Sequence, residues 1–76
     1  MENKIKEILA AVFNENIENI NEDASQDTIE GWDSLNHMNL VVMLEEEFEI
    51  EFTDDEISEL LNFGLVKHIV QQKLNN

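Results

Sequence analysis

Apolar side chains in this chain fall three and four residues apart, and no proline interrupts that spacing anywhere in its 76 residues. A proline inside a helix removes a backbone donor and clashes with the preceding turn, at a cost of about 3 kcal/mol. Its absence, with glycine only at Gly31 and Gly64, leaves a chain built for helices. Ile5, Ile8, Leu9, Val12 and Phe13 make one apolar stripe, which predicts a first helix over 3–14. Asn14, Asn16, Asn19 and Asn21 then break the pattern. The polar, acidic stretch 15–33 reads as a long loop, functional or partly ordered, with Ile17, Ile20 and Ile29 as its anchors to the core.

A second helix starts sharply. Gly31 gives backbone freedom, Asp33 and Ser34 are both good N-cap residues, and an apolar run begins at Leu35 and continues to about Glu49. Thr53-Asp54-Asp55-Glu56 is a capping box for a short third helix carrying Ile57, Leu60 and Leu61 and stopping before Gly64. A last helix over 65–74 offers Val66, Ile69, Val70 and Leu74. Ile50-Glu51-Phe52 could pass for a strand but has nothing to pair with. The expected fold is all-α: a four-helix bundle with three main helices, one short third helix and a long first loop.

Seventy-six residues suit one domain, spanning 1–76, because two would each bury too little surface. No apolar run approaches the roughly 18 residues that span a bilayer, and the amphipathic N-terminal segment does not resemble a signal peptide. The expected location is the cytoplasm. Without cysteine, any thiol chemistry needs a thiol supplied by a cofactor. Charge is lopsided: 18 acids oppose four lysines, and no Lys or Arg lies between Glu7 and Val66. Such a field repels nucleic acid and anionic membranes and attracts basic protein surfaces.

The second helix has two apolar faces. At about 100° per residue, His37, Leu40, Val41, Leu44 and Phe48 cluster on one side as the core face. Leu35, Met38 and Val42 lie opposite, with Glu45, Glu46 and Glu49 following on the same side. An apolar patch ringed by carboxylates and turned from the core fits a docking face, with apolar knobs for affinity and acids for steering.

Gly31-Trp32-Asp33-Ser34-Leu35 resembles the phosphopantetheine attachment motif of acyl carrier proteins, in which Asp-Ser-Leu opens the second helix. Leu40 to Phe48 is similar to that family's second helix, and Thr53-Asp54-Asp55-Glu56 sits where its short third helix begins. The resemblance covers nearly the whole chain. It implies a non-enzymatic carrier, with no metal site, whose Ser34 receives the arm of coenzyme A from a phosphopantetheinyl transferase. The covalent 4′-phosphopantetheine would carry acyl groups as thioesters to loading and processing enzymes of fatty acid, polyketide or related biosynthesis. By the same resemblance Asp33, Leu35, Met38, Val42, Glu45 and Glu46 form the partner-docking surface, basic on the partner's side, and the carrier is a monomer. Carriers of primary fatty acid synthesis usually have a small residue in place of Trp32 and acids near Asn36 and Asn39. The differences suggest a carrier dedicated to a specialised pathway, with Trp32 adding apolar surface beside the serine.

Other readings are weaker. Ser34 and His37 at i, i+3 could suggest a hydrolytic dyad, but no third group orients His37 and no oxyanion hole is evident. Asp23, Ser25 and Asp27 match the first spacings of an EF-hand loop, which then fails at Thr28 and Ser34. The acidic clusters leave room for weak surface binding of divalent ions. An acidic decoy for a basic partner would account for the charge but not for Gly-Trp-Asp-Ser-Leu.

Overall fold

The computed structural model describes residues 2–75. Four helices follow in order: α1 (Glu2–Phe13), α2 (Ser34–Phe48), α3 (Asp54–Glu59) and α4 (Phe63–Leu74), with one 3-10 turn at Ile17–Asn19. No strand forms among the described residues, and α1 packs against both α2 and α4. The core draws on every expected stripe: Ile5, Ile8, Leu9 and Phe13 from α1, Leu40, Val41 and Leu44 from α2, and Val66, Ile69 and Val70 from α4. Phe48 packs half-buried against it.

The exits of α1 and α2 both use a left-handed residue. Asn14 has φ 55°, and the Glu15 N–H returns to the Ala10 carbonyl at 2.9 Å. Asparagine tolerates this region because its short polar side chain bonds locally. Glu49 closes α2 the same way at φ 54°, with the Ile50 N–H on the Glu45 carbonyl. Glutamate there bears a steric cost that glycine avoids. Glu49→Gly is therefore expected to raise stability by about 1 kcal/mol, read by urea unfolding.

The 14–33 connection is more ordered than its composition suggests. Ile20, Ala24, Ile29 and Trp32 are all buried. The Phe63 N–H donates to the Ala24 carbonyl and the Gly64 N–H to the Glu22 carbonyl, so the loop is fastened to the start of α4. Ile17, expected as an anchor, is 42% exposed. It opens a 3-10 turn beside α1 in which no residue is buried, and the next buried residue is Ile20.

Gly31 takes no left-handed conformation. It is needed for space: a Cβ there would lie 2.2 Å from the Phe13 carbonyl oxygen, a backbone atom at the end of α1. Gly31→Ala must push the end of α1 and the 14–33 connection apart, and a loss of about 1–3 kcal/mol in thermal or urea unfolding is expected.

The second half departs from expectation at two points. α4 begins at Phe63, not residue 65, because the Asn62 side chain caps it by accepting from the Leu65 N–H at 2.8 Å. Gly64 therefore lies inside the first turn, and Phe63 is fully buried. Leu61 and Leu74 are exposed, not core: α3 ends at Glu59, Ile57 and Leu60 turn inward and Leu61 does not, and Leu74 is the last residue of α4. The capping box forms as expected: the Glu56 N–H reaches Thr53 Oγ1 at 3.2 Å, and the Thr53 N–H reaches Glu56 Oε1 at 2.8 Å. Lys73 of α4 also binds Glu56 at 2.8 Å. These contacts, the Lys73 ammonium first, hold the Glu56 carboxyl below the usual carboxylate range.

Candidate attachment site at the start of helix α2

Two adjacent residues could have capped α2, and the structure assigns that task to one of them. Asp33 is the N-cap, its carboxylate accepting from the Asn36 N–H at 2.8 Å. Ser34 is the first helical residue and is exposed. Among the described residues its hydroxyl enters no hydrogen bond, and neither does its backbone N–H or that of Leu35. The ordinary structural explanation for a serine at a helix start is thereby taken up by its neighbour. Ser34 presents a hydroxyl with no structural task, beside two unengaged N–H groups at the positive end of a 15-residue helix. A phosphodiester anion fits such a place, because amide dipoles and open donors both favour negative charge.

Beyond Ser34 the outward face of α2 matches the expected stripe. Leu35 is 73% exposed, Met38 48% and Val42 50%. Glu46 continues it as an exposed acid, and Asp33 is exposed at its head. Glu45 does not project freely as expected. It is half-buried, and its Oε2 accepts from the Phe52 N–H at 2.9 Å. It lies to one side of the Leu35–Val42 line, so it meets the returning chain and braces the α2–α3 connection. Met43, 41% exposed, widens the apolar face on the flank towards Val12.

The residues around Ser34 form a connected set that spacing alone did not disclose. Trp32 is not an apolar surface beside the serine: it is 2% exposed, with its ring stacked on Phe13 at 4.7 Å between centroids. Its indole Nε1–H donates to His37 Nδ1 at 2.9 Å, and the other ring nitrogen of His37 lies 2.9 Å from the Ile57 carbonyl of α3. An indole nitrogen can only donate, so Nδ1 is the acceptor and Nε2–H donates to Ile57. With both ring nitrogens engaged this way, His37 is not aimed at Ser34 as a base. Asn36 donates through Nδ2 to the Gly31 carbonyl at 2.8 Å and accepts from Asn39 at 3.0 Å. Carboxylates at these two positions could not make those donations.

Comparison with known proteins agrees with this geometry. The family model described as the phosphopantetheine attachment site matches residues 3–69. Acyl carrier proteins of Helicobacter acinonychis (strain Sheeba) and Helicobacter pylori (strain J99) are each 40% identical over 65 residues, covering 75% of this chain and 83% of their own. The chain belongs to the acyl carrier protein family. Its fold is also that of a solved relative, the holo acyl carrier protein from Geobacter metallireducens. The two superpose with a TM-score of 0.86 at 34% identity, covering 97% of this chain and 85% of that one. Members of the family are carriers, not enzymes, and hold phosphopantetheine covalently. When bound, that group supplies the thiol this cysteine-free chain lacks.

Elsewhere the acids remain dispersed. Among the described residues no three His, Cys, Asp or Glu side chains converge on a point that could hold a metal ion. The expected room for divalent ions on the acidic surface therefore has no preformed site. In the stretch with partial EF-hand spacing, Ser25 Oγ accepts from the Asp27 N–H and Thr28 Oγ1 from the Ser25 N–H, which makes it a tight turn. No described helix is long and apolar enough to cross a membrane.

Proposed function

We propose that Ser34 is the attachment point of the phosphopantetheine arm, and that the chain acts as a monomeric, single-domain cytoplasmic carrier. It would deliver acyl thioesters to enzymes of fatty acid, polyketide or related biosynthesis. The observation that supports this most is the division of labour at the head of α2, where Asp33 caps the helix and leaves the Ser34 hydroxyl exposed. In the loading reaction the Ser34 oxygen bonds to the phosphorus next to the pantetheine of coenzyme A. The pyrophosphate bond breaks, the nucleotide half leaves, and the hydroxyl proton passes to a base of the transferase. Asp33, Leu35, Met38, Val42 and Glu46 serve as the surface read by that transferase and by acyl-processing enzymes with basic docking faces. Glu45 contributes by holding the end of that helix in place. Asn36, Asn39 and the buried Trp32 support a role in a specialised pathway, because they replace the charge pattern of primary carriers with an uncharged, hydrogen-bonded turn.

Intact-protein mass spectrometry after incubation with coenzyme A and a broad-specificity phosphopantetheinyl transferase tests the assignment. One phosphopantetheine per chain is expected, mapped to the peptide containing Ser34. No adduct, or an adduct on Ser25 or Ser58, rejects it.

Docking is tested separately. Glu46→Lys should slow transfer at low ionic strength by about three- to tenfold, through encounter rate, and the deficit should shrink as salt is added. Glu46 is the informative acid, because Glu45→Lys would also lose the bond to Phe52.

A further inference from the structure

We propose that Trp32 and His37 form a side-chain brace that positions Ser34 for attachment of the arm, with the brace itself anchored by α3. The inference rests on Ser34 being the attachment residue. Trp32 lies two residues before Ser34 and His37 three after it, so the 2.9 Å indole-to-imidazole bond closes a loop around the serine. At the mouth of that loop the Gly31 carbonyl accepts from the Asp33 N–H at 3.0 Å and from Asn36 Nδ2 at 2.8 Å, and within it the Asp33 carboxylate accepts from the Asn36 N–H. Outside it, Trp32 is held by its stack on Phe13 of α1 and His37 by the Ile57 carbonyl of α3. The backbone at Ser34, the first residue of α2, is thus tied to α1 and α3 while its hydroxyl is left unengaged.

The pairing is chemically complete. The indole has one proton to donate, His37 Nδ1 accepts it, and the remaining Nε2–H meets the Ile57 carbonyl, which also accepts from the Leu60 N–H at 3.3 Å where α3 ends. A six-residue helix is too short to hold itself together, so α3 depends on such outside partners. Among the described residues no carboxylate forms an ion pair with His37. The nearby carboxylates of Asp33 and Glu56 are taken up by the Asn36 N–H and by Thr53 and Lys73 respectively.

A brace of this kind acts on orientation. Transfer requires the serine oxygen to lie in line with the bond that breaks, and small misplacements of a reacting group are costly in rate. The docking stripe Leu35–Met38–Val42 lies on the opposite face of α2 and makes no use of the brace. Breaking the brace should therefore lower kcat for transfer and leave KM nearly unchanged.

The test compares Trp32→Phe, His37→Phe and His37→Asn with wild type and with the α1 core variant Ile8→Val. All are assayed at a temperature well below the melting point of each. Trp32→Phe keeps the ring on Phe13 and loses only the donor; His37→Asn keeps an acceptor near the Nδ1 position. The first two variants should lose about tenfold in kcat with KM within about twofold, whereas His37→Asn should recover most of the rate. Hydrogen exchange gives a second readout: the Trp32 indole N–H should be protected in wild type and His37→Asn, and unprotected in His37→Phe. Equal kcat in Trp32→Phe, His37→Phe and wild type overturns the brace, and so does a kcat loss that Ile8→Val shares. Should wild type take no arm at Ser34, the attachment assignment fails instead, and the brace with it.

Discussion

Replacing Ser34 with alanine should abolish phosphopantetheine attachment and leave the helical fold in place. The two halves of that result come from different atoms. Attachment needs a hydroxyl oxygen as the nucleophile, and alanine has none, so the adduct in the intact mass should vanish, not diminish. The fold should survive because the cap of α2 is the Asp33 carboxylate on the Asn36 N–H. Ser34 is exposed and bonded to nothing among the described residues, and surface changes of this type stay within about 0.5 kcal/mol. Asp33→Ala provides the converse: it removes the cap, costing about 1 kcal/mol, but keeps the nucleophile. Circular dichroism melting alongside mass spectrometry distinguishes the two. A Ser34→Ala chain that melts far below wild type would show that the serine has a structural task.

Leu44→Ala should cost about 2–5 kcal/mol, while Val42→Ala, two residues away on the same helix, should cost well under 1 kcal/mol. Leu44 is fully buried against the core, whereas Val42 is 50% exposed. Domains of this size are stable by only about 5–10 kcal/mol, so the loss at Leu44 is a large fraction of the whole. That fraction should be greatest at low ionic strength, where the repulsion of a net charge of −14 is least screened and lowers the stability of wild type and variant alike. Urea unfolding in low and moderate salt measures both effects. Transfer kinetics should show the reverse order: Val42→Ala weakens partner binding with little salt dependence, because the lost contact is apolar. If Val42→Ala unfolds the domain and Leu44→Ala does not, the docking surface has been placed on the wrong side of α2.

The amino-acid sequence by itself determined whatever depends on residues three or four positions apart. Such neighbours share a helix face regardless of the rest of the fold. The stripe of α1, the capping box at Thr53 and Glu56, and the opposed faces of α2 were all legible for this reason. So was Ser34, the proposed attachment residue, through the family resemblance of its Asp-Ser-Leu setting at a helix start. Tertiary structure alone decided where elements distant in the chain meet. It turned Trp32 inward onto Phe13, gave His37 its partner in Ile57 twenty residues away, and drew Glu45 to the Phe52 N–H. It required Gly31 for the close approach of the α1 terminus, where the sequence suggested only a flexible turn. It also chose Asp33 over Ser34 as the cap. Both residues had the propensity, and only the path of the chain into α2 could place one carboxylate on the Asn36 N–H and leave one hydroxyl in solvent.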